Sequence, residues 1–86
     1  MIHFNKRSWQ EYIQWQEEDK KTLKKINSLL KEICRDPFEG VGKPEPLVGN
    51  FAGLWSRRIN SKDRLIYDVK DGEIYVVSLK SHYLDK

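Results

Sequence analysis

An α+β domain, with two N-terminal helices packed on one face of a four-stranded, mainly antiparallel sheet, is the fold class that this 86-residue sequence predicts. Three observations predict it. Leu23, Ile26, Leu29, Leu30 and Ile33 recur at helical spacing. Residues 54–59, 64–69 and 74–79 change to a two-residue alternation rich in β-branched side chains. Asp71-Gly72 supplies a tight hairpin turn between the last two of these runs.

Each element has a local reason. Residues 2–4 read as a short first strand that completes the sheet. Ser8 with Glu11 three positions later predicts a capping box at the start of a helix on which Trp9, Tyr12, Ile13 and Gln16 share a face. Asp19 caps the second helix, and Asp36-Pro37 ends it, because the residue before proline is biased away from the helical region. The stretch 37–53 carries all three prolines and four of the five glycines, which predicts a loop. Within it Pro44 and Pro46 bracket Glu45, and two fixed φ angles present that carboxylate rigidly. Asn60-Ser61-Lys62-Asp63 turns the chain between the first two strands of the meander.

At this length one domain spans residues 1–86, and it buries about 60% of its unfolded surface. There is room for a surface site but not for a deep cofactor cleft. Sixteen Lys and Arg against thirteen Asp and Glu give a net charge of +3, gathered at Lys20, Lys21, Lys24, Lys25 and Lys31 and again at Arg57, Arg58, Lys62 and Arg64. Clustered cations suit a polyanion, whereas lysines along a helix equally form a solvated face. In a two-residue alternation Arg57 and Arg58 point opposite ways, so only one joins a site; Arg58 is the choice, with Arg57 left to a surface carboxylate or a peripheral phosphate. The single cysteine, Cys34, excludes an internal disulfide and continues the apolar stripe as a small buried hydrophobe. No charged leader precedes a long apolar run, and no stretch approaches the roughly 20 apolar residues of a membrane span, so a soluble cytoplasmic protein is expected.

The ending Ser81-His82-Tyr83-Leu84-Asp85 puts an imidazole beside a phenol directly after a strand. Together with Gly42-Lys43-Pro44-Glu45-Pro46-Leu47, Trp55-Ser56-Arg57-Arg58-Ile59 and Arg64-Leu65-Ile66-Tyr67, it resembles the YoeB/Txe family of bacterial toxins, in the RelE-like superfamily. Trp15-Gln16-Glu17, Asp19-Lys20 and Pro37-Phe38-Glu39-Gly40 extend the likeness almost from end to end.

The resemblance implies a RelE-like fold and a ribosome-dependent mRNA endonuclease that needs no metal and no cofactor. It also implies an acidic, flexible YefM-like antitoxin as partner, a homodimer, and operator DNA contacts only through the antitoxin complex. Residue by residue, the family's proline-flanked glutamate carries over to Glu45, its strand arginine to Arg64, and its terminal pair to His82 and Tyr83, with Arg58 as a further cation. Lys43 and Trp55 join Arg58 as substrate-binding expectations. Val48 stands where some relatives have lysine, and Leu84-Asp85-Lys86 extend past a tyrosine that can be terminal; neither removes a catalytic group.

These residue types fit metal-free RNA cleavage. A base takes the 2′-hydroxyl proton, an acid protonates the 5′-leaving oxygen, and cations hold the charge on the phosphorane. Glu45, His82, Arg64 and Arg58 fill those roles, and Tyr83 orients or stacks on a base. Read without the resemblance, Glu45 and His82 are surface groups and Trp55 is a core aromatic or a stacking platform. A noncatalytic nucleic-acid-binding or corepressor module then stands as the alternative, needing charge but neither Glu45 nor His82.

Overall fold

The structure, a computed structural model, describes residues 1–80. Apolar residues three and four apart make α2 (Lys20–Arg35) the main wall of the core: Ile26, Leu29, Leu30 and Ile33 are buried, while Lys20, Lys21, Lys24, Lys25 and Lys31 are exposed. The lysine cluster therefore lies on the solvent-facing side of α2. Cys34 is exposed, against expectation, because Ile33 takes the inward position and the next residue rotates away by about 100°.

α1 (Lys6–Glu18) starts one turn earlier than predicted. Asn5 is its cap: Asn5 Oδ1 accepts the Ser8 N–H at 2.7 Å, and Ser8 Oγ accepts the Asn5 N–H at 3.0 Å. The expected pairing of Ser8 with Glu11 does not form, because Ser8 is buried and donates to the Val76 carbonyl at 2.8 Å. Glu11 is turned inward to another use. Asp19 does cap α2, accepting the Thr22 N–H at 3.0 Å.

The sheet has five strands, β1 (Ile2–Phe4), β2 (Glu45–Pro46), β3 (Trp55–Arg58), β4 (Arg64–Lys70) and β5 (Glu73–Ser78), in the order β1-β5-β4-β3-β2. β1 pairs parallel with β5, and the other pairs are antiparallel. The α+β class, with its RelE-like pattern of two helices and a mainly antiparallel sheet, stands; the count of four becomes five. The added strand is β2, inside the predicted loop, where Glu45 faces Ser56 and Pro46 faces Trp55. It lies at a sheet edge and stops after two residues, as a segment with prolines that cannot donate must. Asp71 and Gly72 both take positive φ, 52° and 78°, as the predicted hairpin turn requires.

Leu65, Tyr67, Ile74, Val76 and Leu79 meet Trp15 and the buried residues of α2 in one apolar cluster. Alternation then sends Arg64, Ile66, Asp68 and Tyr75 to the other side of the sheet. The molecule thus has a helix-covered face and an opposite, open face that no described helix covers, although Ile66 and Ser56 on it are buried. Among the described residues no helix is long and apolar enough to cross a membrane.

Candidate functional site

Strand register assembles the open face. Glu45 opposes Ser56, Ser56 opposes Ile66, and Arg58 opposes Arg64. Cross-strand partners share a side, and so do residues two apart, so Glu45, Ser56, Arg58, Arg64 and Ile66 lie on one surface. Neighbouring strands are about 4.8 Å apart, which sets Glu45 and the two arginines within side-chain reach of a common point. Glu45 and Arg58 are exposed, Arg64 is half-buried, and Ser56 and Ile66 form a buried floor.

Like charges directly opposite each other across a ladder cost stability. Among the described residues neither Arg58 nor Arg64 forms an ion pair; the Arg64 Nη1 donates only to the carbonyls of Asn60 and Asp63, at 2.9 and 3.1 Å. Two cations facing each other with no ion-pair partner among the described residues can seat an anion.

Arg57 is the correction to the sequence reading. It is fully buried and bonds neither surface carboxylate nor solvent-side groups. Its Nε donates to the Tyr67 hydroxyl at 3.1 Å, its Nη1 to the Val41 carbonyl at 3.0 Å, and its Nη2 to the carbonyls of Asp36 and Glu39 at 2.6 and 3.1 Å. Tyr67 in turn donates to the Pro37 carbonyl at 2.6 Å. Burial pushes the Tyr67 phenol above its ordinary pKa, which keeps it a neutral donor. One guanidinium therefore organises the chain between α2 and β2. Gly42 completes the arrangement with φ at +85°: its carbonyl accepts the Arg58 N–H at 2.7 Å, and an added Cβ would lie 2.8 Å from Leu29 Cδ2. Lys43, exposed at φ 51°, and Pro44 then lead into Glu45.

Trp55 does not join the arginines. It opposes Tyr67 on the core side, partly buried, with its ring 4.9 Å from that of Phe38. Its packing fits the core alternative of the sequence reading. His82 and Tyr83 lie outside the described residues.

Side chains of α1 hold the two residues that follow β5. Beyond β5 the Leu79 N–H donates to the buried carboxylate of Glu11 at 2.7 Å, and the Leu79 carbonyl accepts from Trp15 Nε1 at 3.0 Å. Lys80 Nζ sits 4.1 Å from the centre of the Trp15 ring and 3.8 Å from Glu18. Side chains of α1 thereby replace the missing strand neighbour of Leu79. A glutamate four residues before a tryptophan on one helix was the only sequence signal for this, and it reads equally as ordinary amphipathic patterning.

The family of YoeB-like toxins of bacterial type II toxin-antitoxin systems matches residues 4–83. The chain belongs to this family. It is 52% identical over 82 residues to Toxin YoeB of Synechocystis, covering 95% of each chain. Among solved structures it resembles the toxin in the heterotetrameric YoeB-YefM toxin-antitoxin complex from Staphylococcus aureus, with 48% identity, TM-score 0.90, and coverage of 96% and 97% of the two chains. It also resembles the YoeB dimer from the same organism, with 48% identity, TM-score 0.87 and 95% of each chain covered. The open face with its opposed arginines is thus the face of a YoeB-like toxin.

Proposed function

We propose that this YoeB-like toxin is a ribosome-dependent mRNA endoribonuclease that cuts the message in the ribosomal A site and so inhibits translation. The observation that carries the reading is the opposed Arg58 and Arg64, without an ion pair among the described residues, with Glu45 on the same sheet face. A phosphate seated between the arginines relieves their repulsion, and the relief grows as the phosphorane gathers charge. Glu45 takes the 2′-hydroxyl proton. The 2′-oxygen then bonds to phosphorus, the bond to the 5′-oxygen breaks, and His82 protonates the leaving oxygen. The products are a 2′,3′-cyclic phosphate and a 5′-hydroxyl. Tyr83 orients the base, and Lys43 adds charge at the rim.

The ribosome supplies the codon and holds it in place, so free RNA is a poor substrate. The partner that silences the toxin is a YefM-like antitoxin, and the active toxin is a homodimer; the solved relatives, a YoeB-YefM complex and a YoeB dimer, support both assignments. Operator DNA is reached only through the antitoxin complex.

Primer extension on a defined message in a reconstituted translation system tests the reading. Wild-type protein is expected to cut at the A-site codon only when ribosomes are present. His82→Gln and Glu45→Ala are each expected to lower the rate at least about 100-fold, in line with the loss of a general acid or base. No cutting by any of the three proteins, with RNA binding retained by all of them, would replace the nuclease with a binding module, whereas equal cutting by wild type and His82→Gln would remove His82 from the reaction.

A further inference from the structure

We infer that the open face carries a second RNA subsite, a nucleobase cleft beside β1, that takes a base flanking the cut and favours guanine; the inference rests on the nuclease reading above for its biological role. The cleft measures about 500 Å³ and is lined by His3, Phe4, Asn5, Asp68, Lys70 and Tyr75, among others. That volume suits a small planar ligand.

Register connects it to the candidate site. His3 opposes Tyr75, and Tyr75 opposes Asp68, so the three share a side of the sheet. Asp68 stands two residues beyond Ile66 and four beyond Arg64 on β4, hence on the same open face and about 13 Å from Arg64 along the strand. Neighbouring nucleotides of one extended strand cover that span. The cleft and the Arg58–Arg64 pair therefore lie on the same side of the sheet.

Its chemistry points to a base and not to a phosphate. The rings of His3 and Tyr75 stack at 4.6 Å with 14° between their planes, and His3 is fixed by donation from its Nε2 to Glu73 Oε1 at 2.7 Å. Stacked, pre-oriented rings present a flat edge and face on which a further aromatic can lie without ordering cost. Lys70 Nζ lies 3.6 Å from Asp68 Oδ2, so the cation is already balanced and the cleft has no surplus positive charge for a phosphate. Asp68 accepts the Val69 N–H on Oδ1 at 2.8 Å and faces Lys70 with Oδ2, and each oxygen keeps a further lone pair to accept with. An acceptor-only carboxylate selects bases with N–H groups on the edge it meets. Guanine offers two side by side, its N1–H and its 2-amino group, and uracil only one.

The test titrates the full-length protein with short 2′-O-methyl oligoribonucleotides, which cannot be cleaved by 2′-hydroxyl attack, and follows amide and ring signals by NMR. One oligonucleotide is all uridine; the other carries a single guanine. Expected are shifts at His3, Asp68 and Tyr75, about ten-fold tighter binding of the guanine oligonucleotide, loss of that preference in Asp68→Asn, and at least about ten-fold weaker binding by Tyr75→Ala. Shifts confined to Glu45, Arg58 and Arg64, or the same affinity for both oligonucleotides, would overturn the cleft. Neither result depends on cleavage: the nuclease reading fails separately, if the wild type leaves ribosome-bound messages whole.

Discussion

Arg57 and Arg58 adjoin in the sequence and occupy opposite worlds in the fold. The first lies on the helix-covered side of β3, fully buried, and spends its donors on Tyr67 and three loop carbonyls. The second lies on the open side, exposed, opposite Arg64. On the covered face a cation is a structural bolt, because every buried polar group left without a partner costs free energy. Among the described residues no buried side-chain nitrogen or oxygen lacks one. On the open face the same residue type stays exposed opposite a second arginine, and its cost is repulsion instead of desolvation. The difference shows that charge in this protein takes its meaning from strand parity.

The largest test of that contrast exchanges the two positions' fates. Arg57→Met removes four hydrogen bonds and leaves carbonyls of the 36–41 segment without their partner in a partly buried setting. At about 1–3 kcal/mol for each orphaned group, a loss of about 3 kcal/mol or more is expected, seen as a Tm drop of roughly 12 °C or more. Arg58→Ala is expected to leave stability within about 0.5 kcal/mol, with a small gain where the repulsion from Arg64 is relieved. Its effect falls on cleavage, down at least about 10-fold. Comparable Tm losses in the two variants would erase the distinction between faces.

A smaller effect is expected at the other end of the sheet. Glu11→Ala deprives the Leu79 N–H of its acceptor, at a cost of about 1–3 kcal/mol. Amide exchange at Leu79 should quicken. Glu11→Gln, which keeps an acceptor oxygen in place, should restore slow exchange. Unchanged exchange in Glu11→Ala would mean that Trp15 alone holds this end.

Strand parity and helix spacing made most of the fold legible in the sequence. α2, the three long strands and both turns follow from local patterns, since the apolar repeat and the turn residues act within a few positions of each other. β2 escaped because proline and glycine at high density signal loop, and only pairing with β3 turns Glu45–Pro46 into a strand. The capping of α1 was misread by one turn because Ser8 has a tertiary partner, Val76, that no local pattern reveals. Likewise, alternation separated Arg57 from Arg58, but nothing nearby in the sequence told that the loop 36–41 folds over the former. In the candidate site, Arg58 and Arg64 were readable from their strands, and Glu45 from its flanking prolines together with the family likeness. The floor residues Ser56 and Ile66 and the Glu11–Trp15 hold on Leu79 depend on long-range contacts, and sequence spacing carries no trace of those.

The smallest expected effect concerns pH, and it sharpens the comparison by asking whether the covered face titrates. Burial raises the Tyr67 pKa above its ordinary 10.0, and the bond from Arg57 lowers it only in part. The folded state therefore holds the phenol proton more tightly than the unfolded chain does. The resulting stability is fully present below pH 10.0 and is lost as pH rises through the higher, folded value. Urea unfolding midpoints measured at about pH 9 and about pH 11 should fall over that interval in the wild type, by more than in Tyr67→Phe, which has no phenol to ionise. Tyr67→Phe should start lower at neutral pH, since the Pro37 carbonyl and the Arg57 Nε each lose a partner. The informative quantity is the difference between the two proteins' slopes. Parallel slopes would mean that deprotonated Tyr67 is accommodated beside the Arg57 guanidinium, and the bolt on the covered face would then be an ion pair in waiting instead of a neutral hydrogen-bond bridge.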